Sequence, residues 1–165
     1  MNRRGFTLIE LLAVIVVLGL VLIIAIPSVT DAYKNSKIKS EEVFVDRLSE
    51  AIDSYVKLNE IKFSSSGTGT KQENGEPYPI TYQKGTITIS DIIEDGILTE
   101  KDFINAGNKE KTCDTGAEVE VYKDSDFVYC YKVNKEELDC LTDAYRETVD
   151  DNYAINTCTW TEGEW

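Results

Sequence analysis

The residue types that most often carry out chemistry are scarce in this chain of 165 residues. It has no histidine, which excludes Ser-His and Cys-His nucleophilic pairs, histidine general bases and histidine metal ligands. It also has no glycine-rich phosphate loop and no Cys-x-x-Cys pair. The 30 acidic residues offer many carboxylate pairs, but none is distinguished from the rest. The sequence therefore predicts a protein that is not an enzyme and uses no cofactor.

Four cysteines form the clearest chemical set, and all lie in the last third of the chain: Cys113, Cys130, Cys140 and Cys158. An even number of widely spaced cysteines predicts two disulfides and an oxidising compartment. Their spacings of 17, 10 and 18 residues match no common zinc motif, which disfavours the alternative of a zinc site. The sequence allows more than one connectivity. We favour Cys140–Cys158 with Cys113–Cys130, since each pair would close a loop between neighbouring elements.

The acidic residues raise the alternative of calcium binding, with Asp124, Asp126, Asp150 and Asp151 as ligands. These pairs lack the regular spacing of a calcium-binding loop, so turns rich in aspartate are the favoured interpretation and no metal site is predicted.

From Pro27 onward the chain carries 15 basic and 29 acidic residues. Such a surface repels nucleic acid and anionic lipid headgroups, and no specific nucleic-acid site is predicted.

The N-terminus carries a long apolar segment. Phe6 to Ile26 comprise 21 residues, about 31 Å as a helix, which matches the ~30 Å hydrocarbon core of a bilayer. Arg3 and Arg4 precede the segment and predict a cytoplasmic N-terminus with the remainder of the chain outside. A secretory signal has a shorter apolar core. The segment is therefore interpreted as a retained membrane helix rather than a cleaved signal.

Glu10 lies near the start of this segment and is the feature that a plain anchor does not explain. A carboxylate in a membrane helix is costly unless it has a partner, and the segment contains no lysine or arginine. A cut between Gly5 and Phe6 would create a cationic partner, because the new α-ammonium of Phe6 would lie one helical turn from Glu10.

Residues 3–27, RRGFTLIELLAVIVVLGLVLIIAIP, resemble the N-terminus of type IV pilins and the related pseudopilins. The matching features are the short basic leader, Gly5 before Phe6, Thr7-Leu8-Ile9-Glu10-Leu11 and Pro27. The resemblance extends over about residues 3–58. It implies that a prepilin peptidase cuts after Gly5 and methylates the amino group of Phe6. It also implies that Glu10 pairs with the Phe6 amine of a neighbouring subunit when the filament assembles.

One long helix over residues 6–58 is predicted to position these groups. Gly19 and Pro27 predict a kink or local melting of its apolar part, because Pro27 lacks an amide hydrogen and clashes with the preceding turn. The alternative is a proline merely tolerated at the membrane surface.

Farther along the helix, one apolar stripe predicts a face that packs on the rest of the protein. It comprises Ile38, Val45, Leu48, Ile52, Tyr55 and Asn59, and the charged residues Lys37, Lys39, Glu41, Glu42, Asp46, Arg47, Glu50 and Asp53 are assigned to the other faces.

Residues 59–165 are predicted to form one α+β head with a small antiparallel sheet, as in the pilin fold. Ser64–Gly75 is predicted to be a flexible polar loop, and strands are predicted at 78–83, 86–90, 119–122, 127–133 and 153–160. Short helices are predicted at 90–96 and 100–106. A longer helix is predicted from a capping box at Asn134 and Glu137 through about Tyr145.

Three function classes follow. The favoured one is a structural subunit of a type IV pilus, made as a membrane prepilin with leader 1–5, processed, and polymerised into a surface filament for adhesion, motility or aggregation. Its partners would be other copies, other pilins, the prepilin peptidase, an inner-membrane assembly platform and, before assembly, lipid. The second is a pseudopilin of a type II secretion or DNA-uptake machine. The third is a membrane-anchored receptor that never polymerises, which would be indifferent to Glu10→Ala.

Overall fold

The computed structural model describes residues 7–73, 75–103, 111–149 and 152–163, and the side chains of 24–28 and 102 lie outside this description. The chain divides into two compact units, Met1–Lys37 and Ile38–Trp165. The long helix α1 covers Leu8–Leu58 and has residues in both units. Its extent agrees with the predicted helix, and the predicted α+β layout with an antiparallel sheet is confirmed.

The head is built from short strands and helical turns. In the described part of the chain the strands are β1 (Phe63–Glu73), β2 (Glu76–Thr88), β3 (Glu118–Asp124), β4 (Tyr129–Asn134), β5 (Tyr153–Asn156) and β6 (Trp160–Glu162). They form one antiparallel sheet in the order β5-β4-β3-β2-β1-β6. The short helices are α2 (Ile89–Glu94), a 3₁₀ helix (Glu100–Phe103) and α3 (Asp143–Arg146).

The sheet must curl. In a flat sheet of this order, five strand spacings would put β5 and β6 about 24 Å apart. The chain passes from Asn156 at the end of β5 to Trp160 at the start of β6, and four residues span at most about 14 Å. The two edges of the sheet therefore approach each other. One face of the sheet packs against α1, and the opposite face lines the inside of the curl.

The predicted apolar stripe of α1 packs on the sheet. Val45, Leu48 and Ile52 are buried in the main core, as the spacing predicts. Glu41, assigned to a solvent-facing side, is instead fully buried. Its carboxylate accepts hydrogen bonds from the backbone nitrogen of Thr142 (3.1 Å) and from its hydroxyl (2.7 Å). Thr142 is the N-cap of α3, so a buried ionisable side chain of α1 is hydrogen-bonded to the residue that caps another helix.

The helix predicted from Asn134 to Tyr145 is wrong, because its capping box does not form. The Asn134 side chain accepts from the nitrogen of Glu136 within a turn. The Glu137 carboxylate accepts from the nitrogen of Glu118 on β3 instead of turning back to Asn134. Only the last turn of the predicted segment is α-helical, and it begins after Thr142.

The loop predicted at Ser64–Gly75 is also wrong, since most of it is strand β1. Its glycines have a packing role there. A Cβ on Gly67 would lie 2.5 Å from the Tyr82 hydroxyl oxygen, and one on Gly69 would lie 2.9 Å from the Trp160 ring. Alternate residues of a strand face one side, so both glycines make room for aromatic rings inside the curl.

A buried lysine organises the inside of the curl. Lys132 is 5% exposed, and its Nζ lies 2.7 Å from the Glu162 carboxylate. The same nitrogen lies 5.1 Å from the ring centroids of Tyr122 and Tyr153 and 5.4 Å from that of Trp160, within the range of cation–π attraction. The Tyr122 hydroxyl lies 2.8 Å from Glu162 as well. These contacts attach β6 to the rest of the sheet.

We expect Glu162→Gln to lower the free energy of unfolding by about 1.5–3 kcal/mol at pH 7, the contribution of a hydrogen bond between charged groups, because the buried Lys132 ammonium loses its carboxylate. Burial raises the pKa of Glu162, but hydrogen bonds from Lys132 and Tyr122 outweigh it, and the pKa lies below its usual 4.5. The stability from this carboxylate is thus present above the unfolded-state pKa and lost as pH falls through the lower folded-state pKa. Denaturation at several pH values will check this: the difference from wild type should shrink in acid, and a constant difference would contradict it.

Two disulfides form, Cys113–Cys140 and Cys130–Cys158, and the predicted pairing is wrong. The sheet itself separates the pairs. Cys113 and Cys140 are buried in the cluster that includes α1, whereas Cys130 and Cys158 pack with Trp160 inside the curl. Pairing along the sequence would have needed bonds through the sheet.

Candidate functional site

Helix α1 begins with a capping box made by Thr7 and Glu10. The Glu10 carboxylate accepts hydrogen bonds from the backbone nitrogen and the hydroxyl of Thr7, both at 2.9 Å. The Thr7 hydroxyl oxygen in turn accepts from the backbone nitrogen of Glu10 at 3.3 Å. This reciprocal arrangement satisfies amide donors that a helix N-terminus leaves free. The carboxylate also lies where the helix dipole favours negative charge.

This local role of Glu10 was missed at the level of sequence, although its signal is present. Thr-x-x-Glu directly before an apolar run is the sequence signature of a capping box. Glu10 therefore has two possible partners, the Thr7 groups of its own chain and, in the predicted filament, the amine of a neighbouring Phe6. The structure describes the first.

The apolar part of α1 is uncovered. Every residue from Leu8 to Ile23 is exposed, and the larger ones range from 50% for Val14 to 84% for Leu8. An apolar surface of this extent, which has no polar face along the helix, requires lipid or protein to cover it. Glu10 is the one ionisable side chain in that stretch.

The other predicted site residues are distributed as follows. Gly5 and Phe6 lie outside the described residues. Gly19 and Pro27 lie within α1, which is helical throughout Leu8–Leu58; a kink there stays a prediction. The cysteines belong to the head, as described above.

The acidic turn considered for calcium has a structural role in the described part of the chain. One oxygen of Asp124 accepts from the backbone nitrogens of Asp126 (2.9 Å) and Val128 (2.8 Å), and the other lies 3.5 Å from Lys71. Asp150 and Asp151 lie outside the described residues. Among the residues that are described, no group of three or more His, Cys, Asp or Glu could hold a metal ion.

None of the helices in the described residues is both long enough and apolar enough to cross a membrane.

Comparison with known proteins confirms the resemblance. Residues 1–26 match the prokaryotic N-terminal methylation motif. The chain is 31% identical over 91 residues to the type II secretion system core protein G of Pseudomonas aeruginosa, a match that covers 51% of this chain and 63% of that protein. The chain thus spans less than two thirds of this relative's length. No solved structure matches it.

These findings agree with a type IV pilin-like layout. The chain resembles type IV pilins and pseudopilins in its methylation motif at the start of a long helix and in the antiparallel sheet packed on the second half of that helix. The motif implies a membrane-anchored, prepilin-type protein.

Proposed function

We propose that this chain is the structural subunit of a type IV pilus. In this proposal it is held in the membrane as a prepilin, cut between Gly5 and Phe6, methylated on the Phe6 amine, and polymerised into a surface filament. Its partners are the prepilin peptidase, an inner-membrane assembly platform, other pilins and copies of itself.

The observation that carries the proposal is the exposed apolar helix at residues 8–23 with one carboxylate in its first turn. Lipid covers such a helix before assembly, and neighbouring helices replace the lipid afterwards, so apolar burial changes little. A buried carboxylate that meets a cationic amine in only one register then determines how the copies align. Setting the register is the best-supported use of a buried ion pair.

A pseudopilin of a secretion machine is the second candidate. It is supported by the matched relative, whose name places it in a type II secretion system. Both candidates share the processing and the helical filament core. They differ in the length of filament and in what it moves.

Mass spectrometry of the exported chain and electron microscopy of sheared surface material test the proposal together. We expect a chain that lacks residues 1–5 and carries one methyl group on Phe6. We also expect long filaments that contain this protein. Short filaments found only when the chain is overproduced would favour the pseudopilin. An intact N-terminus, or a cut that discards the apolar helix, would overturn both.

A further inference from the structure

The two disulfides of the head are interleaved along the chain. Cys130 lies inside the loop that Cys113 and Cys140 close, and its own partner Cys158 lies outside that loop. Neither bond therefore joins consecutive cysteines. The native partners are 27 and 28 residues apart, whereas the consecutive pairs Cys113–Cys130 and Cys140–Cys158 are 17 and 18 residues apart.

Loop-closure entropy favours the consecutive pairing as long as the head is unfolded. The entropic cost of bringing two residues together rises with the logarithm of the length of chain between them. Each consecutive bond should therefore form about twice as readily as the native bond it replaces, and the two together about four times as readily. Only folding of the head reverses this preference.

The order of export acts in the same direction. In the proposed membrane orientation the chain emerges from its N-terminal helix onward, so Cys113 and Cys130 reach the oxidising compartment first. The native partner of Cys130 is the last cysteine to emerge. Trp160, which packs with Cys130 inside the curl, emerges later still. An oxidant thus meets Cys113 and Cys130 before the contacts that separate them exist.

The folded head does not accept the consecutive pairing. Cys113 and Cys140 are 3% and 1% exposed and belong to the cluster that includes α1. Cys130 is 6% exposed and packs with Tyr122 and Trp160 on the opposite face of the sheet. A bond between Cys113 and Cys130 would have to pass through the sheet, so it must be broken before the curl can close.

We propose that this chain is a substrate of a thiol–disulfide isomerase, an enzyme whose reactive thiolate attacks an accessible disulfide. The enzyme thiolate attacks the sulfur of Cys130, forms a mixed disulfide and releases Cys113 as a thiolate. Cys113 then attacks Cys140 and releases Cys158. Finally, Cys158 attacks Cys130 and releases the enzyme thiolate. Two disulfides are present before and after these exchanges, so no oxidant or reductant is consumed.

Burial makes the native pairing the end point of these exchanges. Thiol–disulfide exchange requires access to the attacked sulfur. In the closed head Cys113, Cys130 and Cys140 are buried, and Cys158 is half-buried. The isomerase therefore acts on the open head and leaves the closed one unchanged. The inference rests on the exported head of the proposed function and adds one partner to it.

A disulfide map of the full chain from two bacterial hosts tests this requirement. Both hosts have a disulfide oxidase in the compartment that receives the head, and only one has a disulfide isomerase there. Free thiols are alkylated, and trypsin places each cysteine on its own peptide by cutting after Lys123, Lys132 and Arg146. Mass spectrometry of the linked peptides should show the consecutive pairing about fourfold above the native one without the isomerase. With the isomerase, the native links should predominate.

Two double variants are the matched controls, because each has one possible bond. Cys113→Ala with Cys140→Ala leaves Cys130–Cys158, and Cys130→Ala with Cys158→Ala leaves Cys113–Cys140. Each remaining bond should form to the same extent in both hosts. This result would show that the isomerase sorts the bonds and is not needed to make them.

Native pairing at the same high level in both hosts would overturn the proposed partner, since the head would then fold before its cysteines are oxidised. Four free thiols in both hosts would overturn the exported head and the partner with it. Isomerase-dependent pairing together with an absence of filaments in the native host would overturn the proposed pilus and leave the partner standing.

Discussion

Replacing Glu10 with alanine should reduce the yield of filaments about 100-fold or more while leaving the chain in the membrane. The capping box explains only a small part of such an effect, because loss of a helix cap costs about 1 kcal/mol. In the proposed filament the carboxylate also neutralises the amine of a neighbouring Phe6 in apolar surroundings. Removing one partner of a buried pair costs roughly 3–5 kcal/mol, which is at least two orders of magnitude in an association constant.

Thr7→Ala is the matched control, since it removes the hydroxyl that Glu10 contacts at 2.9 Å and keeps the carboxylate. We expect filament yield within about fivefold of wild type, the size of a lost cap. Glu10→Gln keeps the side-chain shape and loses the charge, and should fail as Glu10→Ala does. Yields are measured by immunoblot of sheared filaments against total protein.

Equal and small effects of Thr7→Ala and Glu10→Ala would mean that Glu10 only caps the helix. The non-polymerising anchor predicts a different result: no filaments from the wild-type chain, and an amount of membrane-bound protein that Glu10→Ala leaves unchanged or raises. An anchor has no reason to need a charge at this position, and its apolar helix inserts more readily without one.

The parts of the molecule that depend on local periodicity were predictable. Helix α1 was predicted from a continuous apolar run followed by a stripe of apolar residues. The stripe residues Val45, Leu48 and Ile52 are buried in the structure. The hairpin of β3 and β4 follows from alternation on both sides of an aspartate-rich turn, and its bounds differ from prediction by a few residues. Such patterns are properties of single elements, so one sequence suffices to find them.

Strand boundaries were harder to predict, because they depend on pairing partners. Residues 78–83 and 86–90 were predicted as two strands but are paired continuously with β1 and β3, so most of both lies in β2. Helix α2 begins at Ile89, one residue before the predicted start at 90, and its N-cap Thr88 forms a capping box with Asp91. The strand predicted at 153–160 is divided into β5 and β6, which belong to opposite edges of the sheet.

What could not be predicted depends on contacts between distant segments. In the sequence, the glycines of β1 suggest a loop. In the structure, the side chains of Tyr82 and Trp160 occupy the space beside these glycines, so the lack of a side chain suits them to the strand. The disulfide pairing depends on which face of the sheet each cysteine occupies, and sequence order does not contain that information. The residues next to Lys132 in the sequence do not indicate that three aromatic rings and Glu162 surround its ammonium group.

Glu41 is the partial exception, since it lies four residues before Val45 and thus on the buried stripe. A charged residue at an apolar position could have indicated a buried partner.

Glu41→Ala should lower the free energy of unfolding by about 2–4 kcal/mol. The change leaves the Thr142 nitrogen and hydroxyl without the carboxylate that accepts from both, and unsatisfied polar groups cost about 1–3 kcal/mol each. It also opens a cavity beneath α1, because Glu41 is fully buried. Chemical denaturation of the full chain in detergent, followed by circular dichroism, measures the change.

A double-mutant cycle separates the bond from the cavity. Thr142→Val removes the hydroxyl and keeps the side-chain shape, and Glu41→Gln keeps the shape and loses the charge. If the carboxylate acts through Thr142, Glu41→Ala should cost about 1 kcal/mol less in the Thr142→Val background than in wild type. Glu41→Gln should give an intermediate loss, because its amide oxygen can still accept one of the two bonds. Strict additivity would show that the bond to the Thr142 hydroxyl contributes nothing measurable, and a Glu41→Ala protein as stable as wild type would show that the head does not depend on the Glu41 carboxylate.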